Sequence, residues 1–265
     1  MKVNNKTIWI TGASSGIGEG LAKALAAKGA KLILSARSED KLLQLKQQLP
    51  YSEQHHIVPL DLAEPEKLIE ELPAIIKAIG AVDILINNAG LSQRSIARET
   101  QLDVYRRVME VNYFGTIAMT KALLPSMIAA QKGMIVTIAS VAGKIGGKGM
   151  SGYSASKHAI IGYMDSLRAE ESENGLQVLT VCPGFVQTNI SVNSITADGS
   201  TLGTMSKAIR TGIPVAECAD KIVQAIEANK AEIVIGKGIS YWAPTIKRFF
   251  PGLLRNLTAK NNYRD

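Results

Sequence analysis

Short β-rich apolar runs alternate with amphipathic helical stretches along almost the whole chain, and that alternation restricts the fold more than any single residue does. Thr7–Thr11 is β-rich and breaks at Gly12; residues 16–28 then put Leu21, Ala24 and Leu25 on one helical face and close at Gly29. Lys31–Ser35 reads as the next strand, 39–49 as a charged helix, 57–60 as a third strand and Pro65–Ile79 as a helix ending at Gly80. A fourth strand at 82–86 leads into a long helical region over 103–130. The pattern continues with a strand at 134–139, a helix at 154–173 stopped by Asn174-Gly175, and a strand at 177–181. A helix at 215–229 and a last strand, Glu232–Ile235, complete it. The strands lack the polar alternation of a half-solvated sheet, so a parallel sheet covered on both faces is expected. No repeat, low-complexity tract or linker divides residues 1–265, which read as one three-layer, doubly wound α/β domain of about seven strands.

Composition bounds the ligands. Hydrophobic residues make up 46% of 265, ample for such a core, and the formal charge is +7. That surplus favours anionic ligands, nucleotide phosphates among them. It is uneven: residues 239–265 carry Lys247, Arg248, Arg255, Lys260 and Arg264 against Asp265 alone, a basic C-terminal tail. Few aromatics and no basic runs argue against a nucleic-acid partner. Cys182 and Cys218 have no C-x-x-C spacing, and His55, His56 and His158 no metal-site spacing, so a reduced, metal-free interior is expected. Only six residues precede the first apolar run, and no apolar stretch reaches spanning length; a soluble, cytoplasmic protein is the expectation.

The first strand runs straight into Thr11-Gly12-Ala13-Ser14-Ser15-Gly16-Ile17-Gly18 and then a helix. Glycines there allow a tight turn and let backbone N–H groups approach a pyrophosphate at the positive end of the helix. Any βα corner can use glycine; the strand before and helix after make this one a dinucleotide cradle. The end of the second strand selects which dinucleotide. NAD sites place a carboxylate there for the ribose, but this chain has Ala36-Arg37-Ser38. A guanidinium suits a 2′-phosphate, so NADP(H) is expected, the bland alternative being a solvated arginine. Asp61-Leu62 closes the third strand and Asn88-Ala89-Gly90 the fourth, where open α/β sheets bind ligands, although each is also a turn former taken alone.

Tyr153 and Lys157 stand i, i+4 on one helix face. A phenol titrating near ~10 must drop about three units, roughly 4 kcal/mol, to exchange protons near neutrality. A lysine ammonium at about 4 Å in an effective dielectric of about 20 supplies around that much.

With these residues in view, the chain resembles the short-chain dehydrogenase/reductase family, in its single-domain Tyr-x-x-x-Lys form, over nearly its whole length. Thr11–Gly18 resembles the family's T-G-x-x-x-G-I-G turn, 87–90 its N-N-A-G and Tyr153 to Lys157 its Y-x-x-x-K. Asn112, Ser140 and the Pro183-Gly184 corner fall at the family's positions too. The resemblance implies a Rossmann fold and an NADP(H)-dependent oxidoreductase interconverting a carbonyl and an alcohol. In that scheme Tyr153 exchanges the proton, Lys157 lowers its pKa and holds the nicotinamide ribose, Ser140 bonds the carbonyl oxygen, and Asn112 anchors a water relay. Thr188 bonds the cofactor near nicotinamide, helped by the backbone of Val186. The stretch from Ser191 to Ser200 resembles the member-7 dehydrogenases of the family, relatives that commonly carry an N-terminal membrane anchor.

Two other readings compete: a catalytically silent NADP-binding redox sensor, which has no need of Asn112, Ser140, Tyr153 and Lys157 together, and a sugar-nucleotide epimerase, whose larger C-terminal domain has no counterpart in the residues after Gly184. Residues 184–212 read as a substrate loop or lid; Phe185, Ile190, Val192, Ile195, Leu202 and Met205 on it suit a mainly apolar small-molecule substrate. A homodimer or homotetramer is expected, from the family and from Val108, Ile117, Leu124, Ile161, Met164 and Leu167, which exceed what one sheet surface need cover. The tail, with Trp242, Phe249, Phe250, Leu253 and Leu254, is expected to dock on the body or on a neighbouring subunit, with membrane-surface contact the lesser alternative. Cys182 and His158 are read as structural.

Overall fold

The computed structural model describes residues 2–260. Seven strands form one sheet in the order β3-β2-β1-β4-β5-β6-β7, every neighbouring pair parallel. They are β1 (Thr7–Thr11), β2 (Lys31–Ser35), β3 (His56–Ile57), β4 (Ile84–Asn87), β5 (Gly133–Ile138), β6 (Leu176–Pro183) and β7 (Glu232–Ile235). The helices are α1 (Gly16–Ala27), α2 (Glu39–Gln48), α3 (Pro65–Ile79), α4 (Leu102–Met109), α5 (Gly115–Ala129), α6 (Ser151–Glu170), α7 (Lys207–Arg210), α8 (Val215–Glu227), α9 (Gly238–Phe249) and α10 (Pro251–Lys260). The three-layer Rossmann expectation holds. Strand order reverses between β1 and β4, and the crevice above that switch point is where such sheets take ligands.

Side-chain alternation along β1 builds the layers. Ile8 and Ile10 join Leu21 and Leu25 of α1, Leu42 of α2 and Ile222 of α8 on one face. Trp9 points to the other, among Leu72 of α3, Met119 and Leu123 of α5 and Met164 of α6. Its indole N–H donates to the Ser35 hydroxyl at 2.8 Å, so even this buried polar atom is satisfied.

Several expected boundaries move. The third strand pairs as a strand only at His56–Ile57, although Val58 N and Leu60 N still donate to the Leu34 and Ala36 carbonyls at 2.9 and 3.1 Å. The helical region expected over 103–130 is α4 and α5 joined by a wide π turn, Glu110–Phe114. Gly115 opens α5 because a side chain there would run into the Leu62 carbonyl. Neither α7 nor the two tail helices were expected; Pro244, Pro251 and Gly252 hide the tail's periodicity. The tail residues 261–265, Arg264 and Asp265 included, lie outside the described residues.

One argument for assembly fails in its particulars. Val108, Ile161, Met164 and Leu167 are all buried within the subunit itself: Val108 of α4 packs with Ile195 and Leu91, and the three α6 residues share a core with α5 and the sheet. Of the six side chains named, only Ile117 and Leu124 remain partly exposed. No helix of the described residues is long and apolar enough to cross a membrane, and no described group of His, Cys, Asp and Glu could hold a metal.

Candidate active site

The glycine turn sits at the C-terminal end of β1, against the end of β4. Gly12 has φ +65°, and a Cβ there would stand 2.7 Å from the Ala89 Cα. Gly18 faces the Gly12 carbonyl and the Asn88 side chain with no room for a methyl. Only glycine lets these two turns approach so closely. Thr11 and Asn88 tie them together: Asn88 Nδ2 donates to the Thr11 and Gly12 carbonyls at 3.0 and 3.1 Å, and the N–H groups of Asn88 and Ala89 both donate to Thr11 Oγ1 at 3.1 Å. Asn88 is therefore committed to holding the cradle's shape.

The first turn of α1 is presented bare. Ser15 is its N-cap in extended conformation, and its side chain makes no capping bond. The N–H groups of Ile17 and Gly18 thus face the mouth of the cradle with Ser14 beside them, a site suited to an anion. Gly16, at φ +59°, lies under Thr188, whose Cγ2 would be 3.2 Å from a Cβ. Val186 is buried and bridged to Ile213, so that arm contributes backbone. At the end of β2, Arg37 is exposed and pairs with no described carboxylate; Ser38 caps α2 without a side-chain bond. At the end of β3, Asp61 Oδ1 accepts from Ala63 N at 3.0 Å, and the Leu62 side chain is buried in the core, leaving only its backbone for a ligand. A bare helix N-terminus, a glycine cradle and an unpaired guanidinium along one edge fit a dinucleotide. A cleft of about 940 Å³ touches this edge at Ser15, Gly16 and Thr188 but runs away over α8, so it does not mark the reacting centre.

The reacting centre is at the head of α6. Tyr153 and Lys157 share one face and are 8% and 4% exposed. The Lys157 ammonium donates to the Ile138 carbonyl at 2.8 Å and lies 5.9 Å from the tyrosine ring centre. Gly90 faces it: a Cβ there would stand 3.5 Å from Nζ. Burial lowers the lysine pKa to about 8. The phenol of Tyr153 is raised, first by burial; the nearby Ser140 hydroxyl and then the positive charge of Arg94 oppose the rise.

Ser140 ends β5 and caps the 3₁₀ turn Val141–Gly143, accepting from Ala142 N at 3.0 Å, with a long 3.4 Å contact to the Pro183 carbonyl. Asn112 lies in the π turn. Its Oδ1 accepts from Leu91 N at 2.7 Å, and its Nδ2 donates to the Leu91 carbonyl at 2.8 Å and to Ser156 Oγ at 2.9 Å. It thus staples the turn after β4 to α6 behind the lysine. Cys182 is buried and its thiol pushed up to about 12, an inert core residue. His158 bonds through Nδ1 to the Ser154 carbonyl at 2.8 Å, one turn back on its own helix.

Residues 6–198 match the family model for short chain dehydrogenase. The chain belongs to that family. It is 41% identical to the mouse dehydrogenase/reductase SDR family member 7B over 262 residues, 97% of this chain and 81% of the mouse protein. Among solved structures, a short-chain dehydrogenase from Streptomyces avermitilis superposes with TM-score 0.81 at 28% identity, covering 98% of this chain and 96% of that one. An alcohol dehydrogenase from Thermococcus sibiricus, complexed with 5-hydroxy-NADP, gives 0.75 at 26% identity, covering 87% and 96%. The member-7 resemblance of the sequence is borne out, and with it a family of oxidoreductases that bind a nicotinamide cofactor.

Sequence reasoning missed three residues of this site. Thr11 was quoted only as part of a motif, yet its hydroxyl and carbonyl organise both turns. Ser156 accepts from Asn112 and donates to the Tyr153 carbonyl at 2.9 Å. Arg94 acts on Tyr153 through its charge from a segment with no strand or helix of its own, and its sequence distance from α6 concealed it.

Proposed function

We propose that this protein is an NADP(H)-dependent reductase that interconverts a ketone or aldehyde with its alcohol, on a mainly apolar small-molecule substrate. The observation that carries the reading is the buried phenol of Tyr153 beside the Ser140 hydroxyl, with the Lys157 ammonium behind it. The bound nicotinamide supplies or receives the hydride. The chain's residues do the rest. Ser140 offers its hydroxyl to the substrate oxygen, and Tyr153, kept protonated by burial, donates its O–H proton to that oxygen in reduction and takes it back in oxidation. Lys157 holds positive charge against the cofactor ribose, and Asn112 fixes the turn from which Gly90 leaves it room. A redox sensor without turnover has no use for the proton donor.

Preference for NADP(H) rests on exposed Arg37, on the absence of an acid at Ala36, and on the 5-hydroxy-NADP bound by the Thermococcus relative. The apolar character rests on the substrate loop. Its Ile195 is buried against Val104 and Val108 and exchanges backbone bonds with Ser92 and Arg94, both at 2.9 Å, closing the loop over the site. Assembly as a dimer or tetramer belongs to the same reading; exposed Phe114 with half-buried Tyr113, Ile117 and Leu124 on α5 and its approach is the face suited to it. Light scattering across micromolar concentrations checks this, a monomer mass throughout being the contrary result.

The deciding experiment follows NADPH absorbance with a panel of ketones, aldehydes, steroids and quinones. Turnover of at least one carbonyl class, abolished in Tyr153→Phe, is expected. Stoichiometric NADPH binding without turnover of any class would favour the sensor.

A further inference from the structure

Arg94 is a half-buried cation that no described carboxylate pairs with, and its charge acts on Tyr153 of the reacting centre. The chain around it is pinned on both sides. Arg94 N donates to the Ile195 carbonyl of the substrate loop at 2.9 Å, and Ser95 N to the Gly149 carbonyl ahead of α6 at 3.0 Å. The preceding Gln93 is fully buried; its Nε2 donates to the Ser95 carbonyl at 2.7 Å and its Oε1 accepts from Gly152 N at 3.1 Å. Yet the Arg94 Nε is sealed from solvent with no acceptor, and no described carboxylate pairs with the guanidinium. The one group it influences electrostatically is Tyr153. An arginine cannot escape this by giving up its proton, and an N–H donor sealed from water without an acceptor is unfavourable. Nearby hydroxyls and amides are engaged with one another, as Ser95, Thr100 and Gln93 show. What its Nε lacks is an acceptor, and a ligand at the Tyr153 hydroxyl would bring one.

We propose that Arg94 is the anion-binding residue of the substrate pocket, taking a carboxylate or a phosphate monoester that the substrate carries near its reacting carbonyl. The fork of a guanidinium matches either oxyanion bidentately. Its substrate is then amphiphilic, with an apolar body under the loop and an anionic end at Arg94. The inference rests on the carbonyl-reductase reading for the reacting group, but not for the anion. It also ties binding to chemistry. Neutralising Arg94 removes one of the two influences that lower the Tyr153 pKa, so an anionic substrate keeps the phenol protonated for reduction.

Matched pairs test it: levulinate against methyl levulinate, and acetonyl phosphate against acetonyl acetate. Calorimetry on the NADPH-loaded protein measures binding, and NADPH absorbance measures turnover. An anion-over-ester preference of about 10- to 150-fold is expected for whichever oxyanion the site takes, the range for charge-assisted hydrogen bonds. In Arg94→Gln the preference should collapse toward unity through KM rather than kcat, and Arg94→Lys should restore part of it. If only one pair shows the preference, that pair names the oxyanion. Equal affinity of acid and ester in both wild-type pairs would overturn the proposal, whether or not Arg94→Gln folds. An equal loss for anion and ester in Arg94→Gln would also overturn it, making Arg94 a structural residue. Anion preference in binding with no turnover of any carbonyl would instead sink the reductase reading and leave this one standing.

A second observation, independent of the site, concerns the C-terminal helices. Ala243 and Leu254 bury against Val141, with Ile145 and Ile246 packed beside them, so the tail docks on the body. Its outer face leaves Trp242, Phe249, Phe250, Leu253 and Leu257 exposed, four of the five by more than half. Lys247, Arg248, Arg255 and Lys260 share this segment, which holds no acid from Gly238 to Lys260. A second copy apposed across a two-fold axis would bring these cations face to face. We infer that the face binds an anionic phospholipid surface, rings and leucines at the headgroup boundary and cations on the phosphates. Full-length protein should pellet with phosphatidylcholine vesicles containing phosphatidylglycerol, release in high salt, and blue-shift its emission through Trp242, since Trp9 is already buried. Phe249→Ser with Phe250→Ser should lose the pelleting. Failure to pellet with anionic vesicles would overturn the inference, and so would a dimer by light scattering that the double variant dissociates.

Discussion

Lys157 lies with its ammonium 5.9 Å from the centre of the Tyr153 ring while donating to the Ile138 carbonyl at 2.8 Å. Burial moves the two groups toward their neutral forms in opposite senses, the lysine down to about 8 and the phenol up. On the alkaline side the lysine therefore loses its proton first. kcat/KM for carbonyl reduction should fall as pH rises past about 8, and in Lys157→Arg, which keeps its charge, that limb should move to higher pH even if the rate is lower. A steady-state pH profile of both proteins decides; an unmoved limb would assign it to another group.

The same lysine makes a prediction about stability. Between about 8 and its ordinary value of 10.5, the unfolded chain holds a proton that the folded chain has released. Unfolding free energy therefore gains from this group as pH rises through that window, and below it the full penalty of burying the charge remains. Lys157→Met removes the penalty. The variant should have the higher denaturation midpoint near about pH 7, with the difference from wild type narrowing toward about pH 10. A difference independent of pH would contradict the lysine's lowered pKa.

Tyr153→Phe removes the proton donor and little else, since the ring keeps its packing. Turnover should drop by at least about 10²–10⁴-fold, the usual contribution of general acid–base help, with NADPH affinity within a few-fold of wild type. Fluorescence titration of NADPH beside initial rates separates the two. Near-normal turnover would remove Tyr153 from the mechanism.

Arg37 is exposed at the end of β2 with no carboxylate to pair with. A partly solvated phosphate–guanidinium contact contributes on the order of 1–3 kcal/mol, so Arg37→Ala should raise the NADPH Michaelis constant about 5- to 150-fold and leave NADH nearly unaffected. Ala36→Asp should go further, repelling a 2′-phosphate while accepting from a ribose hydroxyl. The readout is the ratio of catalytic efficiencies with the two cofactors at fixed salt. A wild-type ratio favouring NADH would show the strand end has been misread.

Gly18→Ala should be among the most damaging small substitutions in the chain. Its methyl would press on the Gly12 carbonyl, which is backbone, and stand 2.5 Å from Asn88 Nδ2. Both turns of the cradle must then separate, so loss of dinucleotide binding with a lowered melting temperature is expected. Gly162→Ala, where a methyl meets nothing within 4 Å, is the control and should be neutral or slightly stabilising. Wild-type cofactor affinity in Gly18→Ala would refute the close-packed cradle.

What the amino-acid order determined was whatever is local. Short continuous apolar runs placed all seven strands and a period of 3.6 most helices; Gly12 to Gly18 announced the cradle, and Tyr153 and Lys157 share a face because four residues make about one helical turn. Tertiary structure decided whatever depends on which segments meet. The third strand is short because only His56 and Ile57 find ladder partners on β2. The long middle helix carries a π turn because Asn112 and Gly115 must fit against Leu91 and Leu62 from other loops. Val108 and Met164 read as surplus surface by periodicity alone, but Ile195 and Leu91 cover the first, and α5 with the sheet the second. Arg94 looked like any loop arginine. Only the packing of its segment between the substrate loop and α6 seals its Nε from water and brings its charge to bear on Tyr153, because burial and field belong to neighbours in space rather than in sequence.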